Sequence, residues 1–145
     1  MGNGVAALLD RAAIHDVLLR YAQGVDRRDL ALVASCFTPT AAYDGTLVRG
    51  TIAQALERLA GAFGRYTTTM HFMGNQMIAL DGDLGHSETY AIAYHRLADE
   101  VPPRDLTVAV RYQDDLVRTA EGWRICRRVV RLDWQRTDVV KPPHA

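Results

Sequence analysis

The chain has 145 residues, enough for one domain with a real core. With 48% hydrophobic and 23% charged residues, its composition is that of an ordinary globular protein and excludes collagenous or low-complexity architecture. Seventeen Lys and Arg balance seventeen Asp and Glu, and Arg27–Arg28 and Arg127–Arg128 are doublets rather than a basic tract, so nucleic acid is not an expected partner.

No apolar run approaches the length that crosses a bilayer, so no membrane partner is expected. The start, "MGNGVAALLDRAAI", lacks the basic and apolar regions of a secretion signal and carries Ala6 where myristoylation wants Ser or Thr; a cytoplasmic location is the expectation. Cys36 and Cys126 lie too far apart for a metal or disulfide motif and read as free thiols of a reducing compartment. The five histidines form no H-x-H or H-x-x-x-H pair, so neither metal nor cofactor is expected.

In chain order, Ile14, Val17, Leu18, Tyr21 and Val25 recur at helical spacing and predict a helix from about Val5 to Arg27. Asp29 can cap a short second helix through Cys36. "TPTAAYDGTLVRG" reads as two short strands around Asp44-Gly45. Thr51 and Gln54 make a capping box that opens a third helix through roughly Phe63. Long strands follow, over about 70–80, 84–98, 105–119 and 123–135, separated by "DGD", "DEVPPRD" and "AEG". Residues from about 137 to 145, ending in "KPPHA", read as a flexible tail. The order predicts a single α+β domain over 1–145, with helices packed on a twisted, mainly antiparallel sheet and a pocket between them.

The candidate chemistry centres on "TTTMHFMGNQMIAL", where His71 stands among apolar residues. Period two places His71, Met73, Asn75, Met77 and Ala79 on one face of the strand. A buried imidazole there is either a hydrogen-bonded core residue or a general base. Asp26 lies at the edge of the first helix's apolar stripe, near the C-terminus, where the macrodipole disfavours a carboxylate. It either pairs with Arg27 or Arg28 in solvent or meets a buried donor; bonded to His71, it would fix the tautomer and stabilise the imidazolium. Tyr21, on the stripe, is a core aromatic or a phenolic donor to substrate. Tyr43, Tyr94 and Tyr112 admit the same two readings, and His95 is either a strand-end surface residue or part of the site. In "GWRICRRVVRLDW", alternation sends Arg124 and Arg128 to one face and Arg127 and Arg131 to the other unless a bulge intervenes. An inward arginine requires Asp114, Asp115, Asp133 or an anionic substrate as partner.

Taken together, "AAIHDVLLRYAQGVDRRDLALVASCFTPTAAYDG", "TTMHFMGNQMIALDGDLGHSETYAIAYHR" and "VRYQDDLVRTAEGWRICRRVVRLDW" resemble the SnoaL-like branch of the nuclear-transport-factor-2-like (NTF2-like) superfamily over about residues 8 to 135. The resemblance implies a cone-shaped α+β fold with a deep apolar cavity. It also implies a cofactor-independent lyase of the kind represented by scytalone dehydratase, bile-acid 7α-dehydratase and hexachlorocyclohexane dehydrochlorinase, or an isomerase, cyclase or non-catalytic member. Their dyad maps onto Asp26 and His71, and the dehydratase tyrosine onto Tyr21. Arg128 matches a pocket arginine and His95 falls near a second histidine; the dehydrochlorinase has Lys where Tyr21 stands here. Arg128, Tyr43, His95, Met73 and Asn75 are thus the expected substrate-binding residues. The expected partners are a small apolar or aromatic cyclic substrate and further copies of the chain, as a dimer or trimer.

Overall fold

A computed structural model describes residues 2–46, 48–97 and 99–140. The elements run α1 (Gly2–Arg27), α2 (Leu30–Ala34), β1 (Phe37–Asp44), β2 (Arg49–Thr51), α3 (Ile52–Ala62), a 3-10 turn (Phe63–Arg65), β3 (Tyr66–Asp81), β4 (Leu84–Leu97), β5 (Arg104–Thr119) and β6 (Gly122–Val139). All six strands form one sheet in the order β2-β1-β6-β5-β4-β3. The helices pack on one face of it, giving the α+β architecture expected from the element order.

Local chemistry accounts for the helix ends. Arg28 adopts a left-handed backbone, φ 59°, and the Asp29 N–H turns back to the Gly24 carbonyl at 2.8 Å, a Schellman-type stop. A Cβ on Gly24 would lie 3.0 Å from the Val33 nitrogen, so only glycine lets α2 fold back this closely. Asp29 accepts from the Leu32 N–H and caps α2, which ends at Ala34 rather than Cys36. Thr51 and Gln54 form the expected capping box.

Ile14, Val17, Leu18, Tyr21 and Val25 of α1 are buried against the inner sheet face, where they meet Tyr112, Leu116, Trp123 and Ile125. An Arg118 ion pair with Asp10 at 2.7 Å and a Trp123 Nε1–H bond to Asp10 at 3.1 Å pin the first half of α1 to the far ends of β5 and β6.

Three sequence expectations need correction. β3 starts at Tyr66 rather than near residue 70, because Tyr66, Thr68 and Thr69 pair with Leu97, Arg96 and His95. β6 runs to Val139, paired with Arg104; the expected tail from 137 is therefore ordered strand as far as 139, and 141–145 lie outside the described residues. The two short strands expected around Asp44-Gly45 do form: β1 pairs antiparallel with β2, and β1 also pairs parallel with β6, Tyr43 opposite Arg128.

The third correction concerns strand phase. The β3–β4 register shifts between Met73 and Gln76, so strict alternation fails there. Asn75, Met77 and Ala79 are exposed on the outer face, and Ile78 and Leu80 take the inner positions against the core. A second shift between Asp115 and Leu116, on the β5–β6 pair, moves Arg124 to the outer face with Arg127 and Arg131. Arg128 alone of the four points inward.

Candidate active site

The last turn of α1 crosses the start of β3, and this crossing builds the site. Asp26 Oδ1 accepts from the Thr69 hydroxyl at 2.9 Å and lies 2.7 Å from His71 Nδ1. Its Oδ2 accepts from the His71 backbone N–H at 2.9 Å. An ionised carboxylate only accepts, so His71 Nδ1 carries the proton and Nε2 is left with its lone pair. Three donors thus hold one carboxylate, and the carboxylate fixes one tautomer.

The alternative surface pairing of Asp26 does not occur. Arg28 instead donates to the backbone carbonyls of Tyr66 at 2.6 Å and Thr67 at 3.2 Å, tying the end of α1 to the start of β3. Burial pushes the Asp26 carboxyl up, but the His71 and Thr69 hydrogen bonds and the imidazole's attraction outweigh it and leave the group below its ordinary value. Side-chain exposure is 7% for His71 and 23% for Asp26, which keeps the pair out of bulk water without sealing it.

His71 opens onto a cavity of about 240 Å³ between α1, α3 and the inner sheet face. Tyr21, Tyr43 and Tyr112 form its polar floor, Leu59 and Phe63 its roof, and Val108, Val110 and Val130 its sheet wall. His95 also lines it, with its ring edge-on to His71 at 5.7 Å and its other side against Tyr66 at 4.8 Å. Burial, then the neighbouring His71, hold the His95 imidazole below its ordinary value and favour its neutral form. Its Nδ1 is buried with no partner among the described residues. Burial likewise pushes the Tyr43 and Tyr112 phenols up, so both stay protonated donors.

Arg128 lies beneath this floor rather than in the cavity wall. It is fully buried and bonded through Nε and Nη2 to Asp114 at 2.7 and 2.8 Å. Its guanidinium sits 4.1 Å from the Tyr21 ring centroid and 4.5 Å from that of Tyr112. The expected substrate contact is therefore replaced by an internal ion pair, and the cation supports the tyrosines from behind. Met73 faces inward but packs against the core outside the cavity lining. Asn75, turned outward by the bulge, lines a separate groove with Phe72, Tyr90 and Trp134 on the opposite sheet face.

Of the eight sequence candidates, the fold brings Tyr21, Asp26, Tyr43, His71 and His95 together and leaves Arg128, Met73 and Asn75 out of the cavity. Thr69, Tyr66 and Arg65 were not singled out from the sequence. Thr69 had a usable signal, since period two puts it on the face of His71. Among the described residues no cluster of His, Cys, Asp and Glu suits a metal ion, and no helix is long and apolar enough to cross a membrane.

A family profile described as a SnoaL-like domain matches residues 6–129. The chain belongs to the SnoaL-like family. This SnoaL-like chain is 33% identical over 131 residues to an uncharacterized protein of Mycobacterium tuberculosis, with 86% of each chain covered. Among solved structures, a Kribbella flavida protein superposes with a TM-score of 0.81 at 25% identity, covering 90% of this chain and 95% of that one. A hexachlorocyclohexane dehydrochlorinase from Novosphingobium barchaimii superposes with a TM-score of 0.82 at 18% identity, over 97% and 99% of the two chains. A candidate scytalone dehydratase from Novosphingobium aromaticivorans gives 0.80 at 20%, over 96% and 93%. At those last two identities the likeness is one of fold alone.

Proposed function

We propose that the protein is a cofactor-independent lyase that eliminates water from a small, largely apolar cyclic substrate. The observation that carries this reading is the Asp26–His71 pair: a carboxylate held by three hydrogen bonds, orienting an imidazole that lines the cavity. Two fold neighbours, the dehydrochlorinase and the candidate scytalone dehydratase, carry names of elimination enzymes.

In this reading His71 Nε2 takes a proton from carbon and the C–H electron pair becomes the new C=C bond. The adjacent C–O bond breaks with Tyr21 donating to the departing oxygen. The proton held by His71 leaves with that oxygen as water, so the protein ends unchanged. Asp26 stabilises the transient imidazolium. General-base catalysis of this kind supplies about 10²–10⁴-fold, and the oriented, water-poor cavity supplies the rest. A single basic imidazole also suits an isomerase or cyclase, in which the same proton returns to another carbon.

The test is a panel of cyclic β-hydroxy ketones followed by the absorbance of the enone product, with wild type and His71→Asn compared at matched circular dichroism. Turnover lost with the fold kept supports the reading. Equal rates, or no turnover together with a collapsed fold in the variant, overturns it. Solvent deuterium entering the substrate without loss of water would assign the isomerase instead.

We also propose that a second copy of the chain covers the outer sheet face. Phe72, Tyr94 and Trp134 are 64%, 40% and 47% exposed there. Four strands by a dozen residues present roughly 750 Å², close to the ~800 Å² per partner of a stable interface. Sedimentation velocity of wild type and Phe72→Glu tests it; a wild-type monomer would overturn it.

A further inference from the structure

Resting on the reading of the cavity as the substrate site, we infer that Arg65 at its rim binds the carboxylate of an organic acid, so that the substrate is an apolar ring system with an acidic tail. Arg65 is the one permanently charged residue in the cavity lining. Among the described residues it forms no ion pair. Its guanidinium lies 5.7 Å from the Tyr66 ring centroid, Tyr66 lies against His95 at 4.8 Å, and His95 meets His71 at 5.7 Å. One wall of the cavity is therefore a file of three neighbouring rings, His71 edge-on to His95 and His95 tilted against Tyr66, with the imidazole of the dyad at one end and a cation at the other.

The rim is fixed from both sides. The 3-10 turn that carries Arg65 closes with the Tyr66 N–H on the Phe63 carbonyl, and the Arg28 guanidinium holds the Tyr66 carbonyl from beyond. Among the described residues Arg28 is bonded only to carbonyls and, like Arg65, forms no ion pair, so two cations flank Tyr66. A guanidinium presents paired donors that match a carboxylate, and an apolar body lying over the rings would carry such a group to the rim. The same field draws anionic substrates toward the mouth.

Calorimetric titration of naphthylpropanoate and its uncharged amide tests the assignment without turnover. Wild type should bind the acid about three- to tenfold more tightly than the amide, with the preference shrinking at about 0.5 M salt. Arg65→Gln should erase the preference and leave the amide's Kd unchanged. Equal affinities in wild type, or a preference that survives in Arg65→Gln, overturns the assignment while the cavity keeps its role. Failure of both compounds to bind overturns the assignment and the cavity reading together. Loss of elimination in His71→Asn is measured separately and leaves this comparison of affinities untouched.

Discussion

Asp26–His71 and Asp114–Arg128 are both carboxylates bonded to a nitrogen base at 2.7 Å on the helix-covered face of one sheet, yet they differ in every property that bears on chemistry. Both side chains of the Asp114–Arg128 pair are 0% exposed. Its cation cannot release a proton at any relevant pH, and three aromatic rings, those of Tyr21, Phe37 and Tyr112, surround it. The Asp26–His71 pair reaches the cavity, and its base is an imidazole, which can both take up and release a proton. A sealed permanent pair can only hold structure in place, whereas an open titratable pair can carry a proton from one atom to another. The comparison teaches that burial of a charge pair assigns no role until the cation and its access are specified.

The largest effect that sharpens the contrast is on turnover. His71→Asn should lower kcat by about 10²–10⁴-fold with its melting temperature near that of wild type, read by the absorbance assay and thermal denaturation. Asp114→Asn should do the reverse. It strands the buried Arg128 cation, costs about 3–5 kcal/mol by chemical denaturation, and lowers activity only in proportion to the unfolded fraction. Replacing both partners, Asp114→Leu with Arg128→Met, should recover most of that loss; a double variant as unstable as the single one would break the comparison.

Smaller effects follow from pH. The folded Asp26 carboxyl lies below its ordinary value, so its stabilisation is complete above about pH 4 and is lost as pH falls through the lower folded value. Asp26→Asn should therefore melt less steeply with acid below about pH 4 than wild type. His95 is also held below its ordinary value, but as a base. The unfolded chain takes up the proton first, so stability falls as pH drops below about 6.5. His95→Gln should lose less melting temperature than wild type between about pH 7.5 and 5.5, the smallest of these differences.

Periodicity and caps made much of this molecule legible in advance. The stripe from Ile14 to Val25, the Asp29 and Thr51 caps and the four long strands all follow from local rules, and they formed because tertiary packing agreed with them. The Asp26–His71 contact was half legible: a carboxylate near a helix C-terminus and an imidazole in an apolar strand each call for a partner, but Arg27 and Arg28 were open alternatives for Asp26 and only the family resemblance joined it to His71. The illegible part lies in the bulges. One extra residue near Gly74 sends Asn75 outward, another near Cys126 decides which arginine turns inward, and neither carries a mark that alternation can read. Arg65 escaped notice because its place depends on a 3-10 turn joining two elements rather than on the pattern within either.

The parallel pairing of β1 with β6 sets an order of events during synthesis. Tyr43 reaches its final neighbour only when Arg128 has been made, some eighty-five residues later, so the tyrosine floor cannot close until β6 has left the ribosome. Contacts this distant along the chain slow folding. A polypeptide stopping short of β6 lacks the strand that joins β1 to β5, so its chamber cannot close and the apolar lining stays exposed to aggregation.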